Sequence, residues 1–215
     1  MSQPTYLINE IFTSIQGESS YQGIPMLFIR FTGCNLRCAY CDTTYAYNEG
    51  KKYTLNELIK IVNNSGFNHV LITGGEPLIQ RDLISLLKGI KNKKILIETN
   101  GSVDISPFQL ENTGLIVDMK TPGSKESNRN NFNNLSILRE CDELKFVIMD
   151  RYDYNWAKDL IEEYRLTDRD IVINFSPAIP FLKPYLLAEW IVEDRLRVRF
   201  NLQIHKIIWG DRRGV

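Results

Sequence analysis

Three thiols crowd into eight residues of this chain. Cys34, Cys38 and Cys41 stand in the stretch GCNLRCAYCDTTY (33–45) at C-x3-C-x2-C spacing, and the remaining cysteine, Cys141, is far away in sequence. A structural zinc site wants four tetrahedral ligands. A fourth would have to come from Cys141, His69 or His205, none of which has a finger-like spacing to the loop. A ferredoxin-type 4Fe-4S cluster also takes four cysteines. Three thiolates leave one iron without a protein ligand, and an open metal position can bind a small molecule directly, as in catalytic zinc sites. That reading is favoured over zinc and over three unrelated buried cysteines, because free cysteine is scarce and the same loop carries Gly33 and an aromatic, Tyr40.

A second motif lies in HVLITGGEPLIQ (69–80), where an apolar run ends in Gly74, Gly75, Glu76 and Pro77. Glycines let backbone approach a ligand closely. A free strand-end carbonyl and the Glu76 carboxylate can accept from a bound ammonium group. Alone, the motif reads equally as an ordinary turn between strand and helix. Together the two motifs resemble the radical S-adenosylmethionine superfamily. The resemblance implies that the open iron chelates the amino and carboxylate groups of S-adenosylmethionine, with Tyr40 in the cluster loop and Gly74, Gly75 and Glu76 at the amino group. It also implies that reductive cleavage yields a 5′-deoxyadenosyl radical, the cofactor carrying the hard chemistry and the protein positioning it. Glu98 in ETNG, Asp118 and Lys120 in DMK, and Ser176 are further candidates for the ribose or the methionine carboxylate, each equally readable as a turn or cap residue.

The run SIQGESSYQGIPMLFIRFTGCNLRCAYCDT narrows the resemblance. From Ile15, Gln16, Gly17 and Glu18 through Arg30 to Asp42 and Thr43, it is similar to the 7-carboxy-7-deazaguanine synthase family. The tail LQIHKIIWGDRRGV and the length agree. The resemblance implies conversion of 6-carboxy-5,6,7,8-tetrahydropterin to 7-carboxy-7-deazaguanine, with ring contraction and loss of ammonia, on the route to queuosine. It implies a magnesium ion bound through Thr43 and a substrate contact at Thr73. Magnesium takes hard oxygen ligands and keeps several waters, so one protein oxygen is chemically sufficient. From the residues themselves, a pterin's amino–oxo edge donates hydrogen bonds, which Glu18 or the Gln16–Gly17 backbone can accept. Its carboxylate wants a partner such as Arg30, which interrupts the apolar run MLFIRF, or His205. Arg30 reads alternatively as half of a structural ion pair, and His205 as a structural histidine.

These residues need a scaffold that gathers them. Short apolar runs alternate with amphipathic segments, which argues for parallel strands joined by helices. Strands are expected at 25–31, 69–73, 94–98, 115–119, 143–149, 171–175 and 198–208, with an extra edge strand at 6–12. Thr54 and Glu57 form a capping box. The helix they open carries Leu55, Leu58, Ile59 and Val62 at helical spacing and stops at Gly66. Other helices are expected near 79–91, 135–141, 153–165 and 184–195, and 121–134 reads as a loop. A full (β/α)8 barrel takes about 250 residues. The 215 residues and about six strand–helix units here predict an incomplete, open barrel forming a single domain over 1–215. In such folds the ligand site lies at the carboxyl ends of the strands, where the cysteine loop, GGEP, ETNG, DMK, Ser176 and His205 are expected.

Composition excludes little more. Lys and Arg number 26 and Asp and Glu 26, so no net field favours nucleic acid or an anionic membrane. No apolar run reaches 18 residues. The N-terminal stretch lacks the charged and long apolar regions of a secretory signal. A cytoplasmic enzyme is expected, with an external flavodoxin- or ferredoxin-like electron donor and a homodimeric state. Cys141 reads as a buried structural thiol. The rival functions are a glycyl-radical activase, which shares the cluster but not the IQGE, Arg30 and His205 set, and an iron–sulfur electron carrier, which needs neither an open iron nor GGEP.

Overall fold

The computed structural model describes residues 3–215; the first two residues of the N-terminal stretch lie outside them. The strands are β1 (Thr5–Ile15), β2 (Pro25–Phe31), β3 (Lys51–Thr54), β4 (His69–Gly74), β5 (Lys94–Thr99), β6 (Thr113–Asp118), β7 (Glu143–Ile148), β8 (Val172–Pro177) and β9 (Arg199–Phe200). The α-helices are α1 (Leu55–Asn64), α2 (Leu83–Gly89), α3 (Asn133–Ile137), α4 (Arg151–Glu163), α5 (Pro184–Glu193) and α6 (Ile204–Trp209). All nine strands form one sheet in the order β3-β1-β2-β4-β5-β6-β7-β8-β9. From β2 to β9 neighbours run parallel, while β1 pairs antiparallel with both β2 and β3. The sheet ends at β3 and β9 without closing, which is the open barrel expected.

Strand side chains alternate between two faces. On one face, residues such as Ile29, Ile72, Ile97, Val117, Leu144, Phe146 and Phe175 join the main core, together with helix residues such as Leu58, Leu86 and Tyr154. On the other, Phe28, Leu71 and Leu96 make a small apolar floor with Met26. Two residues further along the same strands, the face turns polar: Arg30, Thr73 and Glu98. The parallel register sets these side by side, with Arg30 opposite Thr73 on β4 and opposite Glu10 on β1. The same period brings Asp118, Lys145 and Ser176 to the inner face of β6, β7 and β8.

The expected strand 198–208 divides. Only Arg199 and Phe200 pair with β8, and residues from Ile204 onward form α6. Past the sheet, the Ile204 amide donates to the Gly17 carbonyl at 3.0 Å, which ties the start of α6 to the segment after β1. The capping box of α1 forms as expected, Thr54 and Glu57 each closing on the other's backbone amide. Helix α2 starts later than 79, because Pro77–Ile79 make a 3-10 turn capped by the Glu76 side chain. Helix α3 is shifted back from 135–141: Asp142 accepts from the Arg139 amide at 2.9 Å and turns the chain there. The stretch 121–134 carries two 3-10 turns as well as the start of α3. Cys141 is exposed, a correction to its expected burial; the neighbouring Asp142 takes the fully buried place in that turn. Among the described residues no helix is long and apolar enough to cross a membrane.

Candidate active site

One cavity of about 270 Å3 opens at the carboxyl ends of the strands. Its walls include Cys34, Cys38, Cys41, Tyr40 and Thr43 from the loop after β2, and Gly74 and Gly75 at and just past the end of β4. Ile15 ends β1, and Gln16, Gly17 and Glu18 follow it. Arg30, Thr73, Glu98, Asp118, Lys120 and Ser176 come from the strand ends, and His205 from α6. Residues separated by up to 190 positions thus share one space.

The cysteine loop is held from three sides. Gly33 donates to the Ala46 carbonyl at 2.8 Å and accepts from the Glu76 amide at 2.8 Å. The Ala39 amide donates to the Ser124 carbonyl at 3.0 Å, and the Arg37 amide to Glu126 Oε1 at 2.7 Å. The polar stretch 121–134 is therefore a brace for the loop. Its own anchor is buried Asp153, which accepts from the Gly123 amide at 2.7 Å and Thr121 Oγ1 at 2.9 Å. Gly75 lies so close that a Cβ there would fall 2.1 Å from the Gly33 carbonyl oxygen.

The three loop thiols form no disulfide. Cys34 Sγ accepts from the Leu36 amide at 3.5 Å and Asn100 Nδ2 at 3.8 Å, contacts suited to a thiolate. Burial pushes the Cys34 thiol up and the Cys38 thiol up to about 11. Among the described residues no three His, Cys, Asp or Glu side chains converge on one ion position. A cluster puts one thiolate on each of three irons, so its ligands need to share a wall rather than a point.

Two cavity-lining residues each carry a buried polar atom with no hydrogen-bond partner among the described residues, the Tyr40 hydroxyl and Asp118 Oδ1. Buried polar groups are almost always paired, so these point to a ligand. Lys120 Nζ sits 2.8 Å from Asp118 Oδ2 and 5.6 Å from the centre of the Tyr40 ring.

The Radical SAM superfamily pattern matches residues 28–180. The chain is 42% identical to the 7-carboxy-7-deazaguanine synthase of Thermoplasma acidophilum, over 97% of this chain and 100% of the relative. It is 39% identical to that of Koribacter versatilis, over 94% and 96%. The chain belongs to the radical S-adenosylmethionine superfamily, in the 7-carboxy-7-deazaguanine synthase family. The crystal structure of QueE from Escherichia coli superposes with a TM-score of 0.67 at 26% identity, over 93% of this chain and 94% of that one. The fold is shared with Streptococcus suis SuiB bound to S-adenosylmethionine, at TM-score 0.54 and 16% identity over 78% of this chain and 44% of that chain. Superfamily membership brings a 4Fe-4S cluster and S-adenosylmethionine, and the three free thiols and the two unpartnered polar atoms suit that pair.

Glu76 stands apart from the other expected site residues. It is fully buried and does not line the cavity. Its carboxylate accepts from the Leu78 amide at 2.8 Å, Thr99 Oγ1 at 2.8 Å and the Asn100 amide at 2.6 Å. This side chain, expected beside the ammonium of the cofactor, ties the loop after β4 to the loop after β5. Burial pushes its carboxyl up to about 7, against the three donors.

Glu98, expected beside the cofactor, accepts from Thr73 Oγ1 at 2.9 Å and Gln16 Nε2 at 3.4 Å, both residues expected beside the substrate. Burial raises its carboxyl. Arg30 does make the ion pair weighed as its alternative role, Nε lying 3.0 Å from Glu10 Oε2. It also lines the cavity, between the rings of Phe12 and Tyr45. His205 packs against Gly17 so tightly that a Cβ on Gly17 would fall 1.9 Å from its Nδ1. Burial lowers its imidazole. Thr43 Oγ1 donates to Asp42 Oδ1 at 2.9 Å and caps no turn with its side chain.

Sequence reasoning missed Lys145, Gln203 and Lys206, which also line the cavity. Lys145 and Gln203 both bond the Glu18 carboxylate, and Lys206 Nζ lies 2.6 Å from Asp42 Oδ2. Lys145 left a signal: in ELKFVIM, Glu143 and Lys145 are charges at period two in an apolar strand, which marks one polar face.

Proposed function

We propose that this chain converts 6-carboxy-5,6,7,8-tetrahydropterin to 7-carboxy-7-deazaguanine with loss of ammonia. The observation that carries this is the meeting of Glu18, Arg30, Thr73 and His205 with the three cysteines around one cavity, in a chain of the synthase family. Cys34, Cys38 and Cys41 would hold the cluster, and Gly74, Gly75, Tyr40, Asp118, Lys120 and Ser176 the S-adenosylmethionine. When bound, these groups supply a 5′-deoxyadenosyl radical.

The chain's own residues position the substrate. Glu18, its carboxyl ionised, accepts from the donor edge of the pyrimidine ring, and the Gln16–Gly17 segment flanks that edge. Arg30 keeps its Nε on Glu10 and turns its remaining N–H groups to the substrate carboxylate, with His205 beside it. Glu98 and Thr73, already bonded to each other, contact the ring between them, so Glu98 serves the substrate rather than the ribose. Thr43 Oγ1 would be the protein oxygen that holds a magnesium ion, which would supply positive charge beside the substrate carboxylate. Positioning of this kind can supply a large part of a rate enhancement. The remaining parts of the proposal are a single domain over 1–215, a homodimer, a flavodoxin- or ferredoxin-like donor, and a cytoplasmic setting with neither nucleic acid nor membrane as partner.

The test is anaerobic reconstitution with iron and sulfide, then addition of reductant, S-adenosylmethionine, magnesium and 6-carboxytetrahydropterin. Product at the mass of 7-carboxy-7-deazaguanine is expected. Cleavage of S-adenosylmethionine without that product would point to another radical enzyme. A magnesium response unchanged in Thr43→Ala would remove the Thr43 assignment.

A further inference from the structure

The lysines and the arginine that line the cavity are each paired with a carboxylate. Lys120 is paired with Asp118 at 2.8 Å, Arg30 with Glu10 at 3.0 Å and Lys206 with Asp42 at 2.6 Å. Lys145, buried on β7, lines the cavity and bonds the buried carboxylate of Glu18, in the segment expected beside the substrate. Gln203 donates to the other Glu18 oxygen. A strand residue and a residue just before α6 therefore clamp the one acidic side chain of the IQGE segment. Burial works against the charge on Glu18, but Lys145 beside it, with Gln203, holds its carboxyl below the usual range.

We infer that Lys145 is a positioning residue for substrate selection, fixing Glu18 as a charged acceptor for the donor edge of a 2-amino-4-oxopyrimidine ring. The inference rests on the substrate reading above. An ionised carboxylate has about four lone-pair sites, of which Lys145 and Gln203 use two. The other two match the adjacent ring N–H and amino N–H of such an edge. A protonated Glu18 would set an O–H against donors and lose that match. An isolated carboxylate in this buried place would neutralise itself by taking up a proton. Lys145 prevents this from within the barrel wall, without needing to touch the substrate.

The experiment uses reconstituted enzyme loaded with S-adenosylmethionine and two stable probes, 6-carboxypterin and 6-carboxylumazine. They differ in that an amino donor of the first is an oxo acceptor in the second. Wild type should prefer the pterin. Lys145→Met should weaken pterin binding by roughly 30-fold or more and erase the preference, leaving S-adenosylmethionine affinity unchanged. Lys145→Arg should restore much of the preference. In the Glu18→Gln background, adding Lys145→Met should cost little further, because the two act as a unit. That comparison stands even where Lys145→Met alone folds poorly. Full pterin preference in Lys145→Met, or an undiminished further loss in the Glu18→Gln background, would overturn the inference alone. Failure of wild type to bind the pterin would overturn the substrate reading and the inference with it.

Discussion

Lys206 Nζ stands 2.6 Å from Asp42 Oδ2, so the last helix is tied to the residue that follows the third cysteine. The same tail gives Gln203 to Glu18 and sets His205 against Gly17. The cysteine loop and the Gln16–Glu18 wall are thus joined across the cavity. The pair is partly exposed, and exposed pairs contribute about 0–1 kcal/mol. Lys206→Ala should therefore leave the unfolding midpoint nearly unchanged and raise the substrate KM several-fold, with little effect on S-adenosylmethionine affinity. Added salt should raise KM in the wild type and have less effect in the variant. Steady-state kinetics at two ionic strengths read this directly.

Cys34→Ser, Cys38→Ser and Cys41→Ser should each lose the visible iron–thiolate absorbance after reconstitution. Cys141→Ser should retain it, since Cys141 is exposed in the turn before β7 and does not line the cavity. Iron and sulfide content per chain checks both statements. Loss of iron in the Cys141 variant would contradict the three-ligand site.

Gly75→Ala should be poorly tolerated. The added Cβ would meet backbone, 2.1 Å from the Gly33 carbonyl oxygen and 2.5 Å from its carbon, so no side-chain rotation relieves it. The loop after β4 and the cysteine loop must then part. Weakened cluster incorporation is expected, along with loss of S-adenosylmethionine binding measured by calorimetry. Gly66→Ala is the contrast: its Cβ enters open space and only the positive φ opposes it, so a cost of about 1 kcal/mol is expected with the site intact.

Glu76 predicts a pH effect on folding. Burial raises its carboxyl in the folded chain from 4.5 to about 7. Between these values the folded state binds more proton than the unfolded, so this group's contribution falls as pH rises through that window. The full change is on the order of 3 kcal/mol. Denaturant unfolding of the cluster-free chain from pH 5 to pH 8 should show a smaller decline in Glu76→Gln than in wild type. Equal slopes would mean that the three donors already hold the carboxylate ionised.

Much of this protein is written locally. The C-x3-C-x2-C spacing, the strand-end position of GGEP and the capping box at Thr54 each depend on near neighbours, and each appears where those neighbours require. The parallel strands were legible for the same reason: a short apolar run followed by an amphipathic segment is a property of consecutive residues. What the sequence could not locate were the partners. Whether Glu76 faces a ligand or its own fold depends on Thr99 and the Asn100 amide, two loops away. Whether Arg30 is free or paired depends on Glu10, brought opposite it by strand register. Residues 198–208 have a strand-like composition, yet the chain turns into α6, whose first residue meets Gly17, nearly two hundred residues earlier. The sequence by itself determined the three-thiol spacing and the layered scaffold, since both follow from short-range pattern. Only the tertiary structure decided that Lys145 meets Glu18 and Lys206 meets Asp42, because charge pairing acts through space between residues whose separation in the chain carries no signal.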